Sequence, residues 1–320
     1  MSAQSGRDYR DDEVEDDASV TELREAEVDA ALHGQRLDKT LVAIAPEFSR
    51  SYLQTLIAGG HVWLDGRAAG TASRRVQAGQ RLRVELVPTS ESQAFRAEAM
   101  DLSIVHEDEQ VIVVDKPAGL VVHPAAGNWT GTLMNGLLAH HPGALALPRA
   151  GIVHRLDKDT SGLMVVAKTL VAMTALTRDI AARAVQREYL ALAHGAWPVG
   201  ETRIEAPIAR DPRLRTRMAV VAGGKPARTD VSLIATRDEV SALRCRLHTG
   251  RTHQIRVHLA SRGHPLLADA LYGGRPLLGL QRQALHAARL AFAHPSSGEP
   301  LQFEAPPPSD FATAWHKVIG

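Results

Sequence analysis

The sequence contains a single cysteine, Cys245, so an intrachain disulfide is impossible. It has no uninterrupted apolar run long enough to cross a bilayer, and it opens on polar and acidic residues instead of a basic and then apolar leader. Aromatic residues make up only 4% of the chain, but the hydrophobic fraction of 44% is that of an ordinary globular protein. We therefore expect a soluble, cytoplasmic protein that is neither secreted nor bound to a membrane.

The net charge of +1 conceals an uneven distribution along the chain. Residues 1–29 hold eleven Asp and Glu against three Arg, a net charge of −8, which leaves +9 for residues 30–320. The acidic segment has too few apolar groups to form a core, and we predict a disordered tail. The basic remainder suits a polyanionic partner, although many basic domains bind nothing.

A length of 320 residues favours two domains plus a tail. Residues 89–99 are polar and lack apolar periodicity, which is typical of a linker. We therefore predict an acidic tail at 1–29, a small domain at 30–88, a linker at 89–99 and a large domain at 100–320.

The small domain begins with two helical patterns. Apolar residues recur at helical spacing over 37–44 and again over 51–57, and a strand with period two follows at 81–86. This order, with basic residues scattered through it, resembles the S4 (α-L) RNA-binding module, whose helices present cations to RNA. The resemblance implies RNA contacts, whereas the residues alone also fit the solvated face of a small domain. The candidate RNA-binding residues are Arg36, Lys39 and Arg50.

Strand patterns dominate the large domain. Strand-like runs occur at 102–105, 111–114, 163–167, 188–193, 242–247 and 254–257, and helical runs at 132–140 and 170–184. Because hairpin-like turns as well as helices join the strands, we predict an α+β fold with a mixed, mainly antiparallel central sheet and flanking helices.

The most informative segment, residues 151–169, places a charged turn between two apolar runs. Asp157 lies where the strand pattern breaks, and the nearby cations of Arg155 and Lys158 favour its ionised form. An ionised carboxylate can be a nucleophile. Taken alone, the same string also fits a carboxylate that only caps a turn or pairs with Arg155.

The tetrapeptide from His154 to Asp157, His-Arg-Leu-Asp, is identical to the catalytic motif of the RluA family of RNA pseudouridine synthases, in which this aspartate is the catalytic residue. Four further stretches resemble that family in the same order: 115–124, 187–192, 248–273 and 283–306. The resemblance covers the chain from about residue 34 to about residue 310. It implies the pseudouridine synthase fold and an RNA-modifying isomerase that needs no metal or other cofactor.

Within the family, the S4 module and residues 148–150 are most similar to the members that act on large-subunit (23S) rRNA, in the stem-loop that faces the small subunit. The resemblance therefore implies that the partner is large-subunit rRNA or a pre-50S particle. We expect the protein to act as a monomer.

The resemblance assigns catalytic roles to Asp157, Tyr189 and Arg256. Asp157 would attack the ribose C1′ or the uracil C6, or take the C2′ proton, and the sequence leaves these routes open. Tyr189 offers a ring that can stack on an extruded uracil and a phenol for proton transfer at C5, unless it is only a core aromatic. Arg256 would pair with Asp157, and the alternation over 254–257 predicts that it lies on a strand, opposite Ile255.

Arg155 would enter the space that a flipped nucleotide vacates, since a planar cation can stack there. Other candidates for contact with the RNA or the substrate are His154, Arg187, Arg251 and His253.

Parts of the sequence also suggest three other functions. His248, His253 and His258 recur at intervals of five residues, which brings them together on neither a strand nor a helix, so we predict no metal site. Ser161 near His154 suggests a hydrolase, but no Gly-x-Ser-x-Gly elbow surrounds it. A catalytically silent RNA-binding or ribosome-assembly protein is the remaining alternative, and such a protein has no chemical need for Asp157, Tyr189 and Arg256 together.

Overall fold

The computed structural model of the chain describes residues 22–87, 92–125, 127–214 and 216–320. They form two compact units, which divide between Gln93 and Ala94. The predicted tail over 1–21 and residues 89–91 of the predicted linker lie outside the described residues.

The smaller unit is a four-stranded antiparallel sheet with two helices. Its elements are β1 (Glu22–Glu27), α1 (Leu37–Ile44), α2 (Arg50–Ala58), β2 (Val62–Leu64), β3 (Arg67–Ala68) and β4 (Arg81–Leu86). The strands lie in the order β1-β4-β2-β3. The apolar positions that recur at helical spacing pack onto the sheet, and the buried core includes Leu37, Leu41, Leu53, Leu56, Ile57, Leu82 and Val84. The predicted helices and strands of this unit are therefore present.

Strand β1 corrects the prediction of a disordered tail that extends to residue 29. Glu22–Glu27 pairs with β4, and this register places Glu25 opposite Arg83 and Glu27 opposite Arg81. Opposite charges on facing strands replace the self-repulsion that the composition alone suggests. Val28, which is fully buried, fixes the end of the strand in the core.

The larger unit has eleven strands and four helices. They are β5 (Ile104–Glu107), β6 (Val111–Lys116), α3 (Leu133–His140), β7 (Ser161–Ala167), α4 (Leu170–Ala181), β8 (Gln186–His194), β9 (Glu201–Glu205), β10 (Ile208–Arg210), β11 (Met218–Val220), β12 (Arg228–Arg237), β13 (Val240–Leu247), α5 (Gln254–Ser261), β14 (Leu285–Ala293), β15 (Pro300–Glu304) and α6 (Ser309–Ile319). Among the residues that the structure describes, no helix is long and apolar enough to cross a membrane.

Nine of these strands form one sheet in the order β5-β6-β7-β14-β8-β13-β12-β9, with β15 beside β14. Only the short contact between β7 and β14 is parallel, and the other pairs of this sheet are antiparallel. The prediction of an α+β fold with a mixed, mainly antiparallel sheet is confirmed.

The sheet is covered on both faces. Along β6, Val111 and Val113 pack into the core that includes α4, whereas Ile112 and Val114 point into the core that includes α3 and α5. The central strands are therefore apolar on both faces, which explains their nearly continuous apolar sequence. Tyr189 and Cys245 face the second of these cores, and Cys245 is a buried residue of β13.

The larger unit begins at Ala94, ahead of the predicted start at residue 100. The side-chain amide of Asn135, in α3, donates to the backbone carbonyls of Ala94 and Arg96 at 3.3 and 2.8 Å. Glu98 accepts from the backbone N–H of Gly131 at 2.8 Å. These contacts attach the second half of the predicted linker to the larger unit, although its polar sequence carries no regular pattern.

The prediction of a strand at 254–257 is wrong, because these residues begin helix α5. The apolar and polar residues alternate there because every residue from Gln254 to Leu259 is buried, the polar ones against polar partners. His258, for example, contacts the hydroxyl of Thr229 and the carbonyl of Ala206. A helix that is buried on all sides has no polar face, so its sequence lacks the helical period.

Candidate active site

The loop between residues 152 and 161 presents Asp157, and neighbouring segments hold its backbone. The Asp157 carbonyl accepts from the N–H of Thr160 at 3.1 Å, which closes a turn. Lys158 O accepts from the N–H of Gly119 at 2.9 Å, and Asp159 O accepts from the Arg282 guanidinium at 2.9 Å. Three separate parts of the chain therefore fix the position of the Asp157 backbone.

Lys116 supplies a fourth anchor from inside the protein. Its side chain is 1% exposed, and its Nζ donates to the carbonyls of Pro117, Leu120 and Lys158 at 2.7, 2.9 and 2.9 Å. Burial lowers the pKa of Lys116 to about 8. The ammonium group thus ties the Lys-Pro turn that follows β6 to the Asp157 loop.

The loop ends where Gly162 pairs with Ala287 in the parallel contact between β7 and β14. A Cβ atom at Gly162 would lie 2.2 Å from the Ala287 carbonyl oxygen, and its φ of +114° is strained for any other residue. Glycine at this position therefore permits the close approach of β14 directly after the loop.

Asp157 and Arg256 form an ion pair. Arg256 Nη1 donates to Asp157 Oδ2 at 3.0 Å, and the side chains are 8% and 14% exposed. The two residues are 99 positions apart in the sequence, and the fold brings them together. The predicted pairing of this arginine with this carboxylate is thus present in the structure, with Arg256 on a helix instead of a strand.

Arg256 is itself held on two further sides. Its Nε and Nη2 donate to the two carboxylate oxygens of Asp269, both at 2.8 Å, and its guanidinium lies 5.1 Å from the centre of the Tyr272 ring. Although burial opposes the charged form, Asp269 and Asp157 raise the pKa of Arg256 above its ordinary value. Arg256 therefore stays a cation with one Nη directed at Asp157.

His253 lies one helical turn before Arg256 and faces the same carboxylate, with Nε2 3.9 Å from Asp157 Oδ1. Its Nδ1 lies 2.9 Å from the hydroxyl of Tyr272, which in turn accepts from the N–H of Met218 at 3.0 Å. The backbone of His253 has a φ of +55°, an uncommon conformation for this residue type. Burial lowers the pKa of His253, an effect that Asp157 partly opposes, so the ring is neutral at pH 7.

Tyr189 lies on β8 in the core that faces the Asp157 loop, and it is only 4% exposed. Burial raises the pKa of Tyr189 to about 12. The phenol therefore remains protonated at neutral pH.

The other predicted contacts of the larger unit fall into two groups. Arg155 is exposed and Arg251 partly exposed, with Arg251 Nε donating to the Pro226 carbonyl at 3.1 Å. The ring nitrogens of His154 and the guanidinium of Arg187 lie inside the protein. Burial and the charge of Arg187 lower the pKa of His154 to about 3.

In the smaller unit, two of the three predicted RNA-binding cations also have a structural partner. Arg36 and Arg50 donate to the carboxylate of Asp38, which is fully buried, at 3.0 and 2.8 Å. These bonds, Arg36 first, hold the pKa of Asp38 well below its usual range. The arginine side chains are still 41% and 46% exposed, and Lys39 is exposed. All three cations therefore retain a surface that a phosphate can reach.

Sequence reasoning did not select three residues that organise this site: Lys116, Asp269 and Tyr272. Each lies inside a stretch that resembles the synthase family, but a buried lysine or a second carboxylate carries no periodic signal of its own. Their roles depend on contacts between distant segments, such as Met218 with Tyr272.

Two family profiles match the chain. Residues 110–261 match the profile described as RNA pseudouridylate synthase, and residues 35–82 match the S4 domain. The second match lies within the smaller unit, and the first includes Asp157, Tyr189 and Arg256.

Similar proteins extend over almost the whole chain. "Ribosomal large subunit pseudouridine synthase D" of Neisseria meningitidis serogroup B is 50% identical over 95% of this chain and 84% of that protein. The proteins of the same name from Nitrosomonas europaea and Haemophilus influenzae are 46% and 48% identical, over 98% and 89% of this chain and 93% and 92% of theirs. The chain belongs to the RNA pseudouridine synthase family and is a pseudouridine synthase enzyme.

Solved structures agree with this assignment. Human RNA Pseudouridylate Synthase Domain Containing 1 is 28% identical, with a TM-score of 0.52 over 69% of this chain and 86% of that one. Human RNA Pseudouridylate Synthase Domain Containing 4, at 24% identity, has a TM-score of 0.53 over 67% and 92%, which supports the fold.

Proposed function

We propose that this enzyme converts specific uridines of large-subunit rRNA to pseudouridine, with Asp157 as the catalytic residue. The observation that carries the substrate assignment is the similarity to proteins named ribosomal large subunit pseudouridine synthase D, which continues through both units of the chain. The S4 match supports an RNA substrate. We propose the stem-loop that faces the small subunit as the target, in free rRNA or a pre-50S particle, and cytoplasmic action as a monomer.

The reaction breaks the bond between N1 of uracil and C1′ of ribose, turns the base and forms a bond from C5 to C1′. Asp157 is suited to start it, because Arg256 occupies Oδ2, while Oδ1 lies 3.9 Å from His253 Nε2 and accepts no hydrogen bond from the described residues. An ionised carboxylate so placed can attack C1′ or C6, or take the C2′ proton. The ion pair orients the carboxylate in each of these routes.

The uncharged Tyr189 supports the base-handling steps. Its ring lies in the same core as Leu156, the residue before Asp157, and an aromatic ring there can give an extruded uracil a stacking surface. Because its pKa of about 12 keeps the phenol protonated, Tyr189 in its resting state is a hydrogen-bond donor or a proton shuttle and not a free base.

The test is a map of pseudouridines in 23S rRNA. RNA from a strain without this protein is treated with carbodiimide and read by primer extension, site by site, beside RNA from the parent strain. We expect specific stops in the stem-loop to vanish and to return with a plasmid copy of the gene. An unchanged map of large-subunit rRNA would refute the substrate assignment, and a loss confined to other positions would refute the stem-loop.

A further inference from the structure

Arg187, on β8, is a buried cation with unused hydrogen-bond donors. The residue is 4% exposed, and its Nε and Nη2 have no hydrogen-bond partner among the described residues. The ion pairs of the described part of the chain include none to Arg187. A buried guanidinium without an acceptor is unfavourable, so its retention calls for an acceptor that arrives from outside.

The position of Arg187 places these donors beside the active site. Arg187 and Tyr189 are two residues apart on β8 and therefore point to the same face of the sheet. Tyr189 belongs to the same core as Leu156 and Ile255, the neighbours of Asp157 and Arg256 in the sequence.

The loop that leads into α5 packs directly against the guanidinium. A Cβ atom at Gly250 would lie 3.0 Å from Arg187 Nη1. The guanidinium of Arg187 thus lies against this loop, and a side chain at position 250 would push Nη1 aside.

His154 adds a second unused donor. Its Nε2 accepts from the backbone N–H of Val165 at 3.1 Å, so the neutral ring carries its proton on Nδ1. Nδ1 is buried and has no partner. Burial and the charge of Arg187 lower the pKa of His154 to about 3, so the ring is neutral. The site therefore offers one cationic and one neutral donor and lacks an acceptor.

We propose that Arg187 and His154 Nδ1 bind a carbonyl oxygen of the extruded uracil and stabilise the negative charge of the detached base. When the N1–C1′ bond breaks, its electron pair stays on the base, where N1, O2 and O4 share the charge. C1′ then bonds to Asp157, or C2′ loses its proton to Asp157. As C5 bonds to C1′, the bond from C1′ to Asp157 breaks, or Asp157 returns the proton to C2′. C5 then loses its proton and N1 gains one, so the product is an isomer of the substrate and Asp157 is regenerated. This role rests on the proposed function, because it assumes a uridine in the Asp157 site.

The chemistry favours the base over a backbone phosphate as the ligand. Arg187 points to the same face of the sheet as Tyr189, and its unused donors and His154 Nδ1 are buried, so a flat neutral base loses less hydration there than a charged group does. A phosphate diester would bring a full charge into that interior. Donors aimed at charge that develops during a reaction lower its barrier more than they strengthen binding of the ground state.

The test compares full-length Arg187→Gln and Arg187→Lys with the wild type on one stem-loop, carrying either uridine or 5-fluorouridine at the target. Single-turnover cleavage of the N-glycosidic bond, RNA affinity and its salt dependence are measured. We expect Arg187→Gln to slow cleavage of uridine by ~100-fold with little change in affinity. Fluorine stabilises the anion of the base, so the loss on 5-fluorouridine should be about tenfold smaller. The cleavage rate of Arg187→Lys should lie between those of the wild type and Arg187→Gln, because lysine keeps the charge but lacks the planar guanidinium.

Arg178→Gln, an exposed arginine on α4, is the matched control and should behave as the wild type. If the Arg187 variants lost the same factor in cleavage rate on the two RNAs, Arg187 would have only a structural role. If they bound RNA more weakly, with a shallower salt dependence and an unchanged cleavage rate, Arg187 would be a phosphate contact. Either result overturns the proposal.

Should the Arg187 variants fail to fold, Gly250→Ala, which displaces the guanidinium, must give the same selective loss. A wild type inactive on rRNA stem-loops would instead count against the proposed substrate.

Discussion

The carboxylate of Asp157 accepts one side-chain hydrogen bond within the described chain, from Arg256, and its other oxygen stays free of protein donors within hydrogen-bonding distance. A charged nucleophile that is oriented at one oxygen and open at the other suits attack on a substrate. The arrangement extends outward from Arg256 to Asp269 and Tyr272. The reactivity of this residue thus depends on partners up to 112 positions away in the sequence, as with Asp269.

The first prediction concerns Asp157→Asn. The amide has nearly the same shape but is neither a nucleophile nor a base, so we expect the single-turnover rate to fall by at least ~1,000-fold. RNA affinity should change by less than about threefold, since the phosphate contacts remain. Asp159→Asn, two residues further along the same loop, is the control and should stay active. Turnover by Asp157→Asn above the level that deamidation explains would disprove the catalytic role.

A second prediction concerns Arg155, which is exposed beside Asp157. If its guanidinium fills the space left by the flipped uridine, Arg155→Ala should slow reaction on a structured stem-loop at least ~10-fold more than on a short unstructured oligonucleotide, where little stacking is broken. Arg155→Lys should restore little, because an ammonium offers no flat surface for stacking. Equal loss factors on the two RNAs would leave Arg155 an electrostatic role only.

At the scale of the elements, the Asp157 loop is a junction fixed by its neighbours. Lys116 at the end of β6, Arg282 before β14 and Gly119 in the Lys-Pro turn all bind its carbonyls. The start of α5 adds Arg256 from its first turn and His253 from the position just before it, both beside Asp157. These elements come from four different parts of the chain, so the site requires the whole larger unit.

The buried Lys116 gives a prediction about pH. Its pKa of about 8 lies below the ordinary value of 10.5, so above pH 8 the folded protein holds fewer protons here than the unfolded chain. This group therefore raises the free energy of unfolding as the pH rises, by about 2 kcal/mol from about pH 7.5 to about 9.5. We expect Lys116→Met to lack this rise in the free energy of unfolding.

Urea unfolding of both proteins at the two pH values measures the difference. The groups that titrate elsewhere are common to both proteins and cancel in the comparison. Lys168→Met, a partly exposed lysine paired with Glu107, is the control and should keep the wild-type dependence. A wild type and a Lys116 variant with the same dependence on pH would contradict a lowered pKa in the folded state.

The whole molecule combines two compact units with different tasks. The larger one contains the Asp157 site, and the smaller one carries the S4 match and the cations Arg36, Lys39 and Arg50. The acidic residues of the chain are concentrated in its first 29 positions, so the rest of the molecule is basic. RNA binding by such a molecule should depend strongly on salt.

The fourth prediction uses this dependence. Lys39→Gln removes one exposed cation, so the slope of log affinity against log salt should become shallower by about 1 unit, with no change in the catalytic rate at saturating RNA. For a protein that begins at Ala94, the start of the larger unit, the slope of log affinity against log salt should become shallower still than for Lys39→Gln. Lys317→Gln, on the C-terminal helix, removes the same charge as Lys39→Gln and is the control. If the truncated protein kept both affinity and slope, the smaller unit would have no part in RNA binding.

The sequence predicted most elements because their patterns are local. Helices α1, α2, α3 and α4 and strands β5, β6, β7, β8 and β13 follow periodicity and turn residues. Two predictions were wrong where contacts with distant residues override the local pattern. Glu22–Glu27 pairs with β4, where Arg81 and Arg83 lie opposite its acidic side chains. The pattern over 254–257 misled because Gln254–Leu259 is buried on every side of helix α5.

The sequence by itself determined the family resemblance, the two-part organisation and the identity of Asp157, because each is written in contiguous residues. Only the tertiary structure decided what surrounds that carboxylate. It places Arg256 between two aspartates, buries Lys116 beneath the loop and leaves Arg187 and His154 with donors that no protein group accepts. The physical reason is that burial and charge pairing depend on distances between remote segments, which local periodicity does not encode.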